Sequence, residues 1–188
     1  MDKTRCGWCK NDPLYMEYHD TEWGIPVYDD AKLFEFLILE TFQAGLSWIT
    51  ILRKRENFRI AFDDFNYKKI ANYTEVKYEE LMLNAGIIRN KLKIKATITN
   101  AVLFMKVQKE FGSFSNYIWS FTKGNPIKNK RKTLGEVPAT TELSDLISKD
   151  LKKRGFKFVG STVIYAHMQA TGMINDHIVD CFRYNEVS

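Results

Sequence analysis

The sequence predicts a single all-α domain, and three observations support this prediction. Apolar residues recur at helical spacing along most of the 188 residues. Residues that cap helices, and glycines that end them, separate the apolar stretches. The chain is 45% hydrophobic and 14% aromatic, so it can bury a core of its own. The best strand candidate, 157–159, is short.

Caps and periodicity give the elements in order. Each predicted helix begins at or just after a Ser, Thr, Asn or Asp, a residue type whose side-chain oxygen can accept a hydrogen bond from a free backbone N–H. Gly45, Gly155 and Gly172 follow three of the helix ends. The predicted helices are 31–44, 48–61, a short one after Asn66, another after Thr74, 90–111, one from Ser113, 140–154 and 161–170. The segment 123–132 is a polar loop, too short to link two domains.

The longest predicted helix, 90–111, is amphipathic. One apolar face recurs at helical spacing and is expected to point toward the core. Its members are Ile94, Ile98, Ala101, Val102 and Met105.

Composition narrows the classes of function. There are 28 Lys and Arg against 23 Asp and Glu, which gives a net charge of +5 and favours an anionic partner, with nucleic acid first. No apolar run approaches the ~18–20 residues of a membrane helix, and residues 1–6 lack the apolar stretch of a signal peptide. We therefore expect a soluble, cytoplasmic protein. Three cysteines argue against a disulfide framework and leave metal binding as the alternative.

Cysteine and histidine residues occur at the two ends of the chain. Cys6 and His19 lie within the first 20 residues, whereas His177 and Cys181 lie within the last 12. On a helix, the spacing of His177 and Cys181 places both side chains on one face. Zinc accepts sulfur and nitrogen ligands in a tetrahedron, so these four residues would form a closed structural set that joins the ends of the chain.

This pattern leaves alternatives open. Cys9 in place of His19 would give a Cys3His set that is equally acceptable, and spacing does not choose between them. The same residues could instead be buried thiols and ordinary histidines. His167 lies in an apolar helix, and we expect it to be structural rather than a ligand.

Aromatic residues are dense near the N-terminus. Three of the four tryptophans, Trp8, Trp23 and Trp48, lie within the first 50 residues, together with Tyr15 and Tyr18. Each ring alone is typical of a core. A wall of such rings suits a flat, electron-poor ligand held between π-faces.

Glu40 is the acid that the helical pattern explains least well. It follows the apolar run 36–39, in a helix whose other acid, Glu35, fits the polar face. A carboxylate in apolar surroundings is either paired or functional. The alternative is a boundary residue that reaches solvent or pairs with Arg53.

Basic residues cluster at 53–55, 89–95, 123–132 and 152–157. Most such clusters are solvated faces, but 81–91 is more specific. It predicts a helix, a turn at Gly86, and a helix start that carries Arg89 and Lys91. Backbone N–H groups at such a turn can bind a phosphate with help from the dipole of the following helix, whatever the base sequence.

Several short motifs, taken together, resemble the 3-methyladenine DNA glycosylase I family of the helix-hairpin-helix glycosylase superfamily. They run in order along essentially the whole chain, and the combination is specific although no single motif is. The motifs are RCGW at 5–8, DPLY at 12–15, YHD at 18–20, EWG at 22–24, Pro26, LE at 39–40, QAGLSW at 43–48, KREN at 54–57, NAGIIR at 84–89, KKRGFKFVG at 152–160, and NDH at 175–177 with Cys181.

The resemblance implies a fold and an activity. It implies one domain over 1–188, with a zinc lobe from about 1–30 and 155–188 around a helical core of about 31–154. Members of the family excise 3-methyladenine from double-stranded alkylated DNA by hydrolysing its N-glycosidic bond. The base is flipped into a pocket, and this step belongs to base excision repair. A monomer is the expectation for a repair enzyme of this size.

The resemblance also implies roles for individual residues. One structural zinc ion would be held by Cys6, His19, His177 and Cys181, with Cys9 a bystander. Glu40 matches the carboxylate of the base pocket. The pocket aromatics match Trp8, Tyr15, Tyr18, Trp23 and Trp48, of which Trp48 would stack on the base. The DNA contacts match Gln43, Gly45, Leu46, Gly86, Arg89 and Lys91, with Leu46 as the wedge into the base stack.

One departure from the wider superfamily affects the expected mechanism. Most members place a catalytic Asp after the hairpin, and bifunctional members add a lysine nucleophile. The region after Gly86–Lys95 offers no such Asp, so we expect neither Asp-activated water nor a lyase step. Two other classes remain as alternatives. One is a non-enzymatic, zinc-clipped module that binds the DNA backbone, and the other is a zinc hydrolase with an open metal position.

Overall fold

The computed structural model describes residues 3–187, which form helices joined by short turns. The outer limits of the predicted domain and zinc lobe, 1–2 and 188, lie outside the described residues. The helices are α1 (Pro13–Thr21), α2 (Asp30–Gln43), α3 (Trp48–Ala61), α4 (Tyr67–Ile70), α5 (Glu75–Leu83), α6 (Lys91–Phe111), α7 (Phe114–Ser120), α8 (Glu142–Lys153) and α9 (Ser161–Ala170). There are also two strands, β1 (Ile127–Lys128) and β2 (Ile174–Asn175), and short 3-10 turns at Gly7–Cys9, Asp63–Phe65, Leu134–Glu136 and Phe182–Asn185.

Some of the capping residues that predicted the helices form the expected hydrogen bonds. Ser47 and Thr74 occupy N-cap positions without a side-chain cap bond, and Thr141 rather than residue 140 caps α8. The side chain of Asp29 accepts a hydrogen bond from the Lys32 N–H, and Asn90 accepts from two N–H groups of the first turn of α6. Side-chain oxygens of this kind satisfy donors that the helix itself cannot pair. The helix α1 had not been predicted, although Asp12 caps it and Pro13 occupies its first position.

The strand prediction was wrong. Residues 157–159 form no strand, and Phe158 there has a φ of +56°, outside the extended region. Instead β1 and β2 pair in parallel, with Ile127 opposite Ile174. The strand β1 lies inside the segment predicted as a polar loop. A two-residue strand carries no periodicity that a sequence could reveal.

The helix α2 is the centre of the core. Every residue from Leu33 to Phe42 is buried, so the helix has no polar face. The prediction that Glu35 occupies such a face was wrong, because Glu35 is only 7% exposed. On α6 the apolar face is also shifted from its prediction. Ile94 and Ala101 are fully buried, but Val102 and Met105 are half-buried, and Phe104 and Val107 fill the core in their place.

The end of α9 packs directly against the N-terminal segment. Gly172 has a φ of +67°, and a Cβ there would lie 2.3 Å from the backbone carbon of Ile25. The Val27 N–H donates to the carbonyl of Thr171 at 3.0 Å. Only glycine allows this backbone approach, which places the segment after α9 beside the segment after α1.

A buried ion network ties α1, α2 and α3 together. Arg55 on α3 is 7% exposed and donates to Glu22 at 2.5 and 2.7 Å and to Glu35 at 2.8 Å. Lys32 adds contacts of 3.1 Å to both acids. Burial opposes ionisation of both carboxyls, but Arg55 outweighs it and holds the pKa of each below its usual value.

Breaking this network is expected to destabilise the fold. Arg55→Met would leave Glu22 and Glu35 without their main cation, and removing one partner of a buried pair costs about 3–5 kcal/mol. Urea unfolding measures the change. The control is Arg53→Met, since Arg53 is exposed and pairs with Asp12 at 2.6 Å. It should cost less than about 1 kcal/mol. Equal effects of the two variants would contradict a special role for Arg55.

None of the helices within residues 3–187 has the length and apolar character needed to cross a membrane.

Candidate metal cluster and aromatic pocket

Four buried side chains from the two ends of the chain meet in one cluster. They are Cys6, His19, His177 and Cys181, and one ligand atom from each lies within 4.8 Å of the others. The expectation that His177 and Cys181 share a helical face was wrong. They flank a bridge at Ile178 and a turn at 179–180, which follow β2, and this turn brings them together instead.

The distances within the cluster fit a tetrahedral ion. The Sγ of Cys181 lies 3.4 Å from His19 Nε2 and 3.5 Å from His177 Nδ1, and Cys6 Sγ lies 3.5 Å from the same Nδ1. Sulfur and nitrogen ligands on one tetrahedral zinc ion are about 3.5 Å apart, given its usual bond lengths. The donor set could therefore hold a metal ion.

The other ring nitrogens of both histidines are already engaged. His19 Nδ1 donates to Asp20 at 2.8 Å, and Arg5 holds that carboxylate at 2.7 Å. His177 Nε2 donates to the carbonyl of Trp23 at 3.2 Å. Such outer partners fix the ring orientation and turn the second nitrogen of each histidine toward the cluster. There His19 Nε2 accepts a hydrogen bond from the Cys6 N–H at 3.3 Å.

The remaining thiol and histidine lie outside the cluster. Cys9 donates through its Sγ to the carbonyl of Cys6 at 3.1 Å, and burial raises the pKa of its thiol. His167 is buried with its Nε2 3.1 Å from the carbonyl of Leu33, and burial lowers its pKa to about 4. Within the cluster, the hydrogen bond between the two thiols raises the pKa of Cys6 and lowers that of Cys181.

A cavity of about 390 Å³ lies next to this cluster. All five predicted aromatic residues and Glu40 line it, and so does Gln43. Sequence reasoning missed the other lining residues, which are Leu134, Val137, Ala166, Gln169 and Asp176.

The aromatic rings form a connected wall. Trp8 contacts Tyr15 and Trp23, with ring centroids 4.8 and 5.0 Å apart. On the other side, Tyr18 and Trp48 lie 5.4 Å apart at an angle of 42°. Tilted and edge-on pairs of this kind are the favoured arrangement of aromatic rings, and they leave ring faces available to a flat ligand.

Glu40 is buried in the cavity without a partner. It is 3% exposed, and its Oε2 has no hydrogen-bond partner among the described residues. Arg53, the alternative partner, pairs with Asp12 instead. Burial alone raises the pKa of Glu40 to about 8. A buried acceptor left open in this way can bind a ligand that brings its own donor or positive charge.

The neighbouring tyrosines are neutral donors. Burial, followed by the charge of Cys9 and then that of Glu40, raises the pKa of Tyr15 to about 12. Burial and then Glu40 raise the pKa of Tyr18 well above its usual value. The indole Nε1 of Trp48 is buried and, among the described residues, has no acceptor. The cavity therefore offers uncharged donors around the carboxyl group of Glu40.

Asp176 is the second carboxylate at the cavity, and its surroundings are the opposite of those of Glu40. It accepts hydrogen bonds from Tyr165 at 2.5 Å, Asn129 at 2.7 Å and Gln169 at 2.8 Å. Because its lone pairs are occupied, Asp176 is suited to shaping the wall rather than to binding a ligand. Asp176 directly precedes the predicted metal ligand His177, and this proximity could have identified it. Leu134 and Val137 lie in a loop that contains no predicted functional residue.

We compared the sequence and the fold with those of known proteins. A family model described as methyladenine glycosylase matches residues 8–184. The chain belongs to the methyladenine glycosylase family. DNA-3-methyladenine glycosylase 1 of Escherichia coli (strain K12) is 50% identical over 180 residues, which cover 96% of each chain.

Solved structures of methyladenine glycosylases agree with the fold throughout. A crystal structure of 3-methyladenine DNA glycosylase I superposes with a TM-score of 0.93 at 49% identity, covering 95% of this chain and 98% of the other. A variant of a 3-methyladenine DNA glycosylase I in complex with 3-methyladenine superposes with a TM-score of 0.92 at 35% identity, covering 95% and 96%.

In this methyladenine glycosylase, the loop between α2 and α3, residues 44–47, lies at the side of the pocket that Gln43 lines. Gly45 has a φ of +84°, and nothing lies within 4 Å of where its Cβ would be. Leu46 is 40% exposed. Its carbonyl accepts a long hydrogen bond of 3.4 Å from Gln43. An apolar side chain is thus held outward beside the pocket.

The second predicted DNA element, the turn between α5 and α6 at residues 84–90, differs from expectation in one detail. The Gly86 N–H is already bound by the side-chain oxygen of Asn84 at 2.8 Å. A Cβ on Gly86 would lie 2.9 Å from that oxygen, so glycine suits the turn for space. Arg89 on this turn and Lys91, the first residue of α6, are exposed. A phosphate here would meet these cations rather than the Gly86 amide.

Proposed function

We propose that this protein is a monofunctional DNA glycosylase that hydrolyses the N-glycosidic bond of 3-methyladenine in alkylated DNA, as a step of base excision repair. The observation that carries the proposal is the unpartnered, buried carboxyl group of Glu40 within an aromatic cavity. The names of the relatives, and the 3-methyladenine bound in a related structure, support the same substrate.

The cavity suits a base that has left the duplex. A base inside a duplex cannot reach an enclosed pocket, so the nucleotide must flip out. The exposed Leu46 would fill the gap in the stack, while Arg89 and Lys91 hold the backbone. Gln43, Gly45 and Gly86 complete the proposed contacts with double-stranded DNA.

Charge would select the damaged base. A purine methylated at N3 is cationic while it is attached to the sugar, and cation–π attraction to Trp48 and Tyr18 is worth about 0.5–2 kcal/mol. Glu40 would accept a hydrogen bond from the adenine edge, at about 1.5–3 kcal/mol for a charge-assisted bond. Normal adenine is neutral and gains less from both.

The same charges would favour bond cleavage. The bond between the sugar C1′ and the base nitrogen breaks, and its electron pair leaves with the base as neutral 3-methyladenine. Water adds its oxygen to C1′ and releases one proton to the solvent, or to Glu40 if that group acts as the base. The ionised Glu40 would stabilise the positive charge that develops on the sugar, with a role as general base secondary. No lysine is among the residues found to line the cavity, in keeping with hydrolysis without a lyase step.

We further propose one structural zinc ion held by Cys6, His19, His177 and Cys181. Four protein ligands leave no open position for water, so the ion would hold the chain together and take no part in the reaction. The helical-hairpin assignment for α5 and α6, a monomeric state and a cytoplasmic location belong to the same proposal.

Base release from methylated duplex DNA, read by chromatography, tests the proposed activity. We expect the zinc-loaded protein to release 3-methyladenine but not 7-methylguanine, because the pocket selects by shape and hydrogen bonding as well as by charge. A protein that binds the duplex but releases no base would instead be the backbone-binding module, and the likeness would then extend to the fold alone.

A further inference from the structure

Lys93 occupies a place that is unfavourable for a lysine. It is the third residue of α6, where the helix dipole favours negative charge, and only 6% of it is exposed. Burial lowers the pKa of its ammonium group. No acid pairs with it among the described residues, so its position requires compensation of another kind.

The compensation comes from the far end of another helix. The Lys93 Nζ donates to the carbonyl of Phe42 at 2.9 Å and to that of Ala44 at 2.7 Å. These carbonyls belong to the C-terminal end of α2, where a helix has unpaired acceptors and partial negative charge. Lys93 thus caps α2 from outside, in place of the residues that follow it.

The capped end carries functional groups on both sides. Glu40 lies one turn before Ala44 on the same helix, and Leu46 lies two residues after it. The loop 44–47 has little packing of its own, since Gly45 has open space around it and Leu46 is exposed. The ammonium group is therefore a main anchor of this loop.

A second lysine connects α3, the helix that follows the loop 44–47, to the turn 84–90. Lys54 on α3 donates to the carbonyls of Ala85 and Gly86, each at 3.3 Å. Lys93 follows that turn directly, at the start of α6. The turn 84–90 is thus linked to the end of α2 by one lysine and to α3 by another.

We propose that Lys93 is a positioning residue that couples the turn 84–90, where the DNA backbone would be held, to the loop that carries Leu46. Its contribution is to flipping the nucleotide out of the duplex, and it takes no part in breaking the bond. This inference rests on the proposed function and adds a residue that acts through the loop rather than on the base.

Comparing duplex with single-stranded substrate tests this role. A base in single-stranded DNA has no partner on an opposite strand and leaves its stack more easily, so insertion of Leu46 matters less there. Lys93→Met should lower 3-methyladenine release from duplex by about 10- to 100-fold, since small misplacements cost up to roughly that much. Release from single strands should change by less than about 3-fold, because the pocket itself is kept. The control Lys106→Met, an exposed lysine of the same helix, should match wild type on both substrates.

A double-mutant comparison with Leu46→Ala separates positioning from a general loss of structure. If Lys93 acts through Leu46, Lys93→Met should add little to the duplex defect of Leu46→Ala, because coupled residues are not additive. Should Lys93→Met fail to fold, Lys93→Arg replaces it. The guanidinium group keeps the charge but cannot cap both carbonyls in the same geometry, so the duplex should again be the more affected substrate.

The outcomes divide clearly. Equal loss on both substrates, or full additivity with Leu46→Ala, would overturn the role of Lys93 while leaving the glycosylase activity standing. A wild-type protein that releases no base from either substrate would remove the proposed function, and the role of Lys93 would fall with it.

Discussion

Replacing Glu40 with Gln is expected to lower release of 3-methyladenine from duplex DNA by roughly 10- to 150-fold, the equivalent of one charge-assisted hydrogen bond. The amide keeps the shape of the carboxyl group but loses its charge and presents a donor on one side. Glu56→Gln on the exposed face of α3 is the matched control and should leave release unchanged. Wild-type rates for Glu40→Gln would contradict the central role of this carboxyl group.

The pH profile provides a second measurement on the same variant. Burial raises the pKa of Glu40 to about 8, and the ionised form is the one that accepts a donor and faces a cation. The kcat/KM of the wild type should therefore rise with pH and level off above about 8. Glu40→Gln should lack this rise. A bound cationic base favours the ionised form of Glu40, so the pH midpoint of the kcat profile should lie below that of the kcat/KM profile.

The same burial predicts an effect on stability with a definite sign. The folded state keeps the Glu40 proton up to about 8, whereas the unfolded chain loses it near 4.5. The folded state is thus penalised increasingly as the pH rises between these two values. At pH values above this range, the free energy of unfolding of Glu40→Gln, measured with urea, should exceed that of wild type by a few kcal/mol. One pKa unit corresponds to about 1.4 kcal/mol. Below it the two proteins should be alike.

Replacing Cys181 with Ser is the second change with a large expected effect. The variant should lose bound zinc, from one ion per chain to none by elemental analysis. Its thermal midpoint should fall by about 10 °C or more, because a structural zinc contributes several kcal/mol and each shifts the midpoint by roughly 2–4 °C at this size. The serine hydroxyl is a poor zinc ligand in place of a thiolate.

Cys9→Ser is the control for this experiment, since Cys9 lies outside the cluster and donates to a backbone carbonyl. It should keep zinc and most of its stability. Zinc loss in Cys9→Ser, or full occupancy in Cys181→Ser, would disprove the proposed ligand set. Base release by metal-free Cys181→Ser, measured at a temperature where it is folded, would exclude a catalytic role for the ion.

Short-range rules predicted much of the fold. The helices α2, α3, α6, α8 and α9 lie where capping residues and apolar spacing placed them, because both signals are local. The environment of Glu35 could not be predicted in this way. Its partner Arg55 lies on another helix, and a carboxylate on a fully buried helix face becomes acceptable only when the tertiary structure supplies that cation.

The site was predictable where chemistry is unusual and unpredictable where it is not. The cysteines, histidines and Glu40 stand out by residue type, and the structure brings the four candidate metal ligands together even though His177 and Cys181 lie in no helix. Leu134 and Val137 are ordinary apolar residues of a loop. The pairing of β1 with β2 and the bridge between Arg131 and Ile178 hold the preceding segment beside the cavity. Such placement depends on contacts between distant segments.

The make-up of the pocket has a consequence for synthesis on the ribosome. Its walls come from residues between Trp8 and Asp176, and the cluster beside it joins Cys6 to His177, 171 positions further along the chain. Helices α2–α7 can pack with one another while the rest is still being translated. The pocket is completed only when the segment that ends with Asp176 emerges, so a nascent chain cannot capture a base before that segment is made.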